Sequence, residues 1–260
     1  MGIIDDYFGV SGKIVLVTGG SRGIGEGIAE AFVTAGARVY ICSRSESACA
    51  ETAARLSKKG SCVAIAADLS TAAGRQALAT ELGRHERKLD VLINNAGAIW
   101  AAPLAEYPES GWDKVFNLNV KGLFFLIQAL VPFLEKSASS DEPARIINVG
   151  SIDGFHVPKH ETYAYSSSKA ALHHLSRHLA DQLAPRHILV NVIAPGMFPS
   201  KMMKATLEKH GEAKVVEKVP LKRLTNEVDM AGAAIFLASK ASSYVTGTVL
   251  PVDGGTATVL

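Results

Sequence analysis

The chain has 260 residues, 48% of them apolar and 20% charged, and a net charge of +2. That length and balance fit one large soluble α/β domain and exclude a disordered chain. A charge so near zero, without a basic and aromatic cluster, argues against nucleic-acid binding, and three cysteines (Cys42, Cys49, Cys62) do not make a disulfide framework.

The first thirteen residues carry Asp5 and Asp6, no basic segment and no long apolar run, so they do not read as a secretory signal. Position 6 is Asp where N-myristoylation needs Ser or Thr. Strands are predicted at Lys13–Val17, Arg38–Cys42, Val63–Ala66, Asp90–Ile93, Arg145–Val149, Leu189–Ile193 and Val249–Val252. Helices are predicted at Gly23–Ala35, Glu46–Lys58, Thr71–Arg84, Gly111–Lys136, Tyr163–Leu183 and Glu227–Ser239. Near-continuous apolar strands alternating with helices predict a parallel sheet covered on both faces, with ligands at the carboxyl ends of its strands. The expectation is one α/β domain over residues 1–260, a Rossmann-type doubly wound parallel sheet of about seven strands.

Cys42 and Cys62 fall in neighbouring predicted strands as small buried residues, and a reducing cytoplasm is the default setting. The most apolar stretch, Leu123–Leu134, is too short to span a bilayer. The helix around it is apolar on more than one face, which predicts a homo-oligomer, with a tetramer favoured; extra core contacts within one monomer are the alternative.

Strand Val15-Leu16-Val17 runs directly into Thr18-Gly19-Gly20-Ser21-Arg22-Gly23-Ile24-Gly25 and then a helix. Glycines allow positive φ and close approach to phosphate, and the helix N-terminus offers unpaired N–H groups to a pyrophosphate. The second strand ends Cys42-Ser43-Arg44, with no acidic residue to accept from an adenosine ribose 2′-OH. Ser43 and Arg44, with Arg22, instead suit a 2′-phosphate, which points to NADP rather than NAD. Asp68-Leu69 reads as an adenine contact or a helix N-cap, and Asn95-Ala96-Gly97 as a close backbone approach or a plain turn.

Tyr165 and Lys169 stand four apart in a predicted helix, so phenol and ammonium share one face. A tyrosine titrates near ~10, and a neighbouring cation favours its phenolate. Lowering that value by about two pH units is worth roughly 2.7 kcal/mol, a plausible demand on one close charge.

In order and interval, Thr18–Gly25, Asp68, Asn94–Gly97, Asn119, Ser151, Tyr165, Lys169 and Pro195-Gly196 resemble the short-chain dehydrogenase/reductase family over residues 11–255. The resemblance implies Tyr165 as general acid in carbonyl reduction, with Lys169 tuning it and holding the nicotinamide ribose. It implies Ser151 as hydrogen-bond donor to the substrate oxygen and Asn119 as anchor of a relay water. It also places Tyr165, Lys169, Pro195 and Gly196 beside the cofactor. Tyr165 lies fourteen residues after Ser151, where thirteen is the commonest family interval, and Tyr163 lies at twelve. Only Tyr165 precedes Lys169 by four, so Tyr163 is read as a packing or pocket residue, and the extra residue falls in the loop 152–162. Ile41–Arg44, Ser110–Trp112 and Ala194–Ser200 resemble the NADPH-dependent 3-oxoacyl reductases of rhamnolipid synthesis.

His156 and His160 in that loop are read as exposed, with substrate contact the alternative, and His174 and His178, though spaced like metal ligands, as structural or interfacial; no catalytic metal is expected. Ser200–Arg223 holds seven Lys or Arg against three Glu, with Met202, Met203 and Leu207 interleaved. It reads as part of a substrate lid over 197–223 that docks an acyl carrier protein or coenzyme A, or else as an ordinary solvated basic face. The function expected is NADPH-dependent reduction of a ketone, with a 3-oxoacyl thioester as the substrate class. The alternatives are another small ketone, sugar, polyol or polyketide, or an NADP-sensing regulator without catalysis.

Overall fold

The computed structural model describes residues 2–199, 203, 207–208, 211–257 and 259. Its strands are β1 (Ile14–Thr18), β2 (Arg38–Ser43), β3 (Ser61–Ala66), β4 (Val91–Asn94), β5 (Ala144–Val149), β6 (Ile188–Pro195) and β7 (Val249–Val252). All pair in parallel, in the order β3-β2-β1-β4-β5-β6-β7. The helices are α1 (Ile3–Phe8), α2 (Gly23–Thr34), α3 (Glu46–Leu56), α4 (Ala72–His85), α5 (Glu109–Phe116), α6 (Leu123–Glu135), α7 (Tyr163–Leu183), α8 (Glu212–Val216) and α9 (Glu227–Ala238).

Alternation along each strand splits the core into two layers. Val15, Val17, Val39 and Ile41 pack with Ile28 and Phe32 of α2, Leu56 of α3 and Leu237 of α9. Leu16, Tyr40, Leu92 and Ile146 pack on the other face with Leu78 of α4, Leu130 of α6 and Leu172 of α7. The predicted architecture is therefore the observed one, and the cysteines are free and buried. Burial pushes the Cys42 thiol up to about 12 and that of Cys62 up to about 11, which leaves both inert at neutral pH.

Local features differ from the sequence expectation. Ile3–Phe8 form a short helix that buries none of its residues. β3 begins two residues earlier than predicted, because Ser61 and Cys62 continue the register with Arg38 and Val39. The helical run Glu109–Glu135 is interrupted by a π turn at Asn117–Gly122. That run is long and apolar enough to cross a membrane by composition, yet Leu126, Ile127, Leu130 and Leu134 are buried in the core, which identifies α6 as a core helix. Its other side leaves Phe125 and Trp112 of α5 exposed, with Trp112 stacked on Phe116 at 5.1 Å.

Candidate active site

The chain reverses direction across the sheet between β1 and β4, so a crevice opens at their carboxyl ends. Gly19 (φ +65°) and Gly23 (φ +55°) lie in the left-handed region that glycine tolerates, and they turn β1 into α2. A Cβ on Gly25 would overlap Asn95 Nδ2 and the Gly19 carbonyl, so close packing of turn and helix demands glycine there. Arg22, the N-cap of α2, makes no side-chain cap bond, which leaves the first-turn N–H groups facing the crevice. A Cβ on Gly23 would meet nothing nearer than Phe198 at 3.8 Å, so the turn has room for a pyrophosphate. Ser21 is held from behind, its carbonyl accepting from Thr52 Oγ1 at 3.2 Å, and Ile24 packs against the core.

Asn95 has a further role in its side chain. Its Nδ2 donates to the carbonyls of Thr18 (3.0 Å) and Gly19 (3.1 Å), while Thr18 Oγ1 accepts from the N–H groups of Asn95 and Ala96, both at 3.0 Å. The amide staples the glycine turn to the end of β4, and it is the backbone from Ala96 to Gly97 that borders the crevice. Thr18 is a supporting residue that motif reading passed over; its place as the last residue of β1 was the available signal.

At the far end of β2, Ser43 is half-buried, its hydroxyl donating to the Ser45 carbonyl at 3.0 Å, and Arg44 is exposed beside it. No carboxylate occupies the end of β2, although Asp68 lies near enough to feel the charge of Arg44. Asp68 is not the N-cap of α4: Thr71 is, accepting from Gly74 N–H at 3.0 Å. Asp68 Oδ1 accepts from the N–H and hydroxyl of Ser70, and Leu69 buries its side chain, so only backbone at Leu69 can border the crevice.

The four expected catalytic residues converge from three elements. Ser151 follows β5 and caps the 3-10 turn Ile152–Gly154, its hydroxyl accepting from Asp153 N–H at 3.2 Å and hydrogen-bonded with Tyr165. Lys169, one turn along α7, places its Nζ 5.6 Å from the Tyr165 ring centre and donates to the Val149 carbonyl at 2.7 Å. Asn119 sits in the π turn, a break in the helical ladder of the kind that recurs at functional sites. Its Oδ1 accepts from Ala98 N–H (2.8 Å), and its Nδ2 donates to Ala98 O (2.9 Å) and Ser168 Oγ (3.0 Å). The Asn119 side chain thus ties the loop after β4 to α7. Gly97 lies between these groups: a Cβ there would stand 3.4 Å from Asn119 Oδ1 and 3.9 Å from Lys169 Nζ.

The electrostatics depart from the expected tuning. Burial pushes the Tyr165 hydroxyl up to about 12; the Ser151 hydrogen bond lowers it and the Asp153 carboxylate raises it. Burial likewise pushes Lys169 down to about 8, against the pull of Asp153. Desolvation sets the direction and leaves Tyr165 protonated at neutral pH, while the Lys169 ammonium donates to the Val149 carbonyl. Lys169 is charged below about pH 8 and neutral above it. We expect kcat/KM for NADPH, which reports the free enzyme, to fall by up to about tenfold per pH unit above that point. Lys169→Arg, with a guanidinium that keeps its charge, should abolish that fall. A flat wild-type profile from pH 7 to 9 would exclude a role for this ionisation.

Residues 19–257 match the family model described as enoyl-(acyl carrier protein) reductase. The chain is 51% identical over 253 residues to the rhamnolipids biosynthesis 3-oxoacyl-[acyl-carrier-protein] reductase of Pseudomonas aeruginosa, covering 96% of this chain and 98% of that one. The chain belongs to the short-chain dehydrogenase/reductase family. Within that family it is also 36% identical to the 2-dehydro-3-deoxy-D-gluconate 5-dehydrogenase of Bacillus subtilis, covering 98% of each chain. Among solved structures it is similar to the Pseudomonas aeruginosa RhlG/NADP active-site complex, with a TM-score of 0.94 and 50% identity over 97% of this chain and 99% of that one.

On this short-chain dehydrogenase/reductase frame two loops form a wall beside the four residues. The one after β4 and the one after Ser151 meet through Ala102 N–H to Glu161 O (3.2 Å) and through the edge of Tyr107 against Tyr163 at 5.6 Å. Tyr163 is therefore a packing residue of this wall, as the interval to Lys169 implied. Phe155, His156, Val157 and His160 are exposed, and both histidines lie close enough to attract the Asp153 carboxylate. Pro195 ends β6, and Gly196 donates to Val252 O at 3.0 Å, its Cα packed so closely on Asp253 that a Cβ would stand 2.6 Å from the Asp253 Cα. His174 and His178 are exposed, and no group of metal-binding side chains occurs among the described residues. Of the basic segment, Ser200, Lys201, Met202, Lys204 and Lys209 lie outside the described residues, while Val215 and Val219 are buried.

Proposed function

We propose that this protein is an NADPH-dependent carbonyl reductase acting on 3-oxoacyl thioesters carried by an acyl carrier protein or coenzyme A. The observation that carries the reaction class is the meeting of Ser151, Tyr165 and Lys169 beside the glycine turn. The thioester class is supported by the likeness to the 3-oxoacyl-[acyl-carrier-protein] reductase over nearly the whole chain.

The backbone of Gly19, Ser21, Arg22, Gly23, Ile24 and Gly25 would hold the pyrophosphate, and Ser43, Arg44 and Arg22 the 2′-phosphate. Asp68 and Leu69 would border the adenine, Asn95–Gly97 the middle of the cofactor, and Tyr165, Lys169, Pro195 and Gly196 its nicotinamide end. When bound, NADPH supplies the hydride. Ser151, its oxygen lone pair occupied by Asp153 N–H, donates its proton toward the substrate oxygen and orients the carbonyl. Tyr165 gives up its phenolic proton to that oxygen as negative charge develops. Lys169 and Asn119 hold the far side of Tyr165 in place, Lys169 through Val149 and Asn119 through Ser168, whose hydroxyl donates to the Tyr165 carbonyl at 2.7 Å. A binding-only regulator has no use for this assembly.

Phe125, Trp112 and Phe116 form the outward apolar side of the α5–α6 run, which supports assembly into a homo-oligomer, a tetramer by preference. A cytoplasmic enzyme of one domain, with 197–223 as substrate lid, completes the reading. The second reading, a sugar or other small-ketone dehydrogenase, draws on the 36% identity to the gluconate enzyme. Purified protein should oxidise NADPH with acetoacetyl and longer 3-oxoacyl thioesters at a kcat/KM at least about tenfold above that for keto-sugars, the discrimination that chain contacts supply. No turnover of any thioester, with turnover of a sugar, replaces the first reading by the second.

A further inference from the structure

His173 lies one turn beyond Lys169 and two beyond Tyr165 on α7, and only 4% of it is exposed. Its Nε2 is buried without a hydrogen-bond partner among the described residues, an arrangement that costs stability relative to an apolar side chain of similar size. Burial and the neighbouring Lys169 and Arg177 push the imidazole down to about 4, so it is neutral throughout the working range.

The imidazole touches the turn that carries Ser151. A Cβ on Gly154 would overlap Cε1 and stand 2.7 Å from Nδ1 of His173, and all three of its nearest atoms would belong to that ring. A Cβ on Gly150 would overlap Nε2 and stand 2.7 Å from Val192 Cγ1. Neither glycine has a positive φ, so backbone conformation does not demand glycine at either position. The nearest constraint at Gly154 is the imidazole. Gly150 is also pinned to the sheet, its N–H donating to Ile193 O at 2.7 Å, and Phe155 leans on the ring at 5.8 Å. Ser151 thus sits on three residues of chain held at one end by β6 and at the other by His173.

We propose that His173 is a positioning residue: its flat ring is the post against which Gly150 and Gly154 pack, and it fixes the Ser151 hydroxyl relative to Tyr165 on the same helix. This rests on the reading of Ser151 as the group that orients the carbonyl. One helix then sets the whole geometry, carrying the acid, its cationic neighbour and the stop for the serine turn. The post also gives the turn a defined path despite the interval of fourteen residues from Ser151 to Tyr165.

The test is a double-mutant cycle between positions 154 and 173, read as kcat and KM for a ketone the wild type reduces, NADPH affinity and Tm. Gly154→Ala should lower kcat by about 30- to 100-fold, the cost of moving a positioned group by about 1 Å, with NADPH affinity within about threefold. His173→Ala should lower kcat by about tenfold, and the double variant should exceed Gly154→Ala alone by at least about fivefold, because removing the ring makes room for the added methyl. A purely structural role would lower Tm and leave kcat per folded molecule unchanged. Additive effects, or wild-type kcat in both single variants, overturn the proposal. Should His173→Ala not fold, His173→Asn, smaller and still flat, replaces it in the same cycle. Ser151→Ala separates the two readings. Unchanged kcat there removes the role of Ser151 and the positioning role with it, whereas a loss there beside an additive cycle removes only the role of His173.

Discussion

Tyr165→Phe is expected to lower kcat for ketone reduction by about 10²- to 10⁴-fold, the range typical of a lost general acid, and to leave NADPH affinity within about threefold. The substitution removes one oxygen and keeps the ring that packs beside Lys169. Lys169 keeps its bond to the Val149 carbonyl and Ser151 keeps that from Asp153 N–H, so the scaffold around the missing hydroxyl persists. On the proposed mechanism, what disappears is the proton donor at the developing alkoxide. Burial holds that donor at about 12, so at neutral pH it is present as the acid form that reduction needs. Stopped-flow binding and steady-state turnover on the same preparation separate the two effects. A variant with wild-type kcat would move the acid to another group.

Arg44→Asp is expected to invert cofactor choice, lowering kcat/KM for NADPH by about 10²- to 10³-fold, as one or two charge-assisted hydrogen bonds to a phosphate are lost and a repulsion replaces them. The new carboxylate can accept from a ribose 2′-OH, so kcat/KM for NADH should rise. Asp68 reinforces the change, since it feels the charge of Arg44 in the native protein and would stand beside a second carboxylate in the variant. Because Arg44 is exposed, the native preference for NADPH should also weaken as salt is added. An unchanged ratio of the two cofactors would mean that the end of β2 does not read the 2′-phosphate.

The doubly wound sheet, the glycine turn between β1 and α2, and the placement of Tyr165 and Lys169 on one helix face were all legible along the chain. Each depends on local rules: alternation in strands, positive φ at Gly19 and Gly23, and the i, i+4 stacking of a helix. The π turn was not legible, since Asn117–Gly122 continues an ordinary helical pattern and departs from it only where Asn119 is bonded to Ala98 and Ser168. The amide bonds of Asn95 were also not legible. A small polar residue after a strand suggests a turn, and only the approach of β1 shows its amide holding the Thr18 and Gly19 carbonyls. His173 was hidden beside the more conspicuous His174 and His178, although its spacing of four from Lys169 and eight from Tyr165 marked it as the one histidine on the catalytic face.

The sequence by itself determined the architecture and the residue types gathered at the carboxyl ends of the strands, because these follow from near-neighbour geometry and from the period of apolar residues. The tertiary structure decided the charge states and the fine positions. Desolvation of Tyr165 and Lys169 is a sum over groups far apart in the chain, and it reversed the tuning that the four-residue spacing alone implied. The need for glycine at 154 is likewise invisible locally, since φ is ordinary there and the constraint arises only where α7 brings an imidazole against the serine turn.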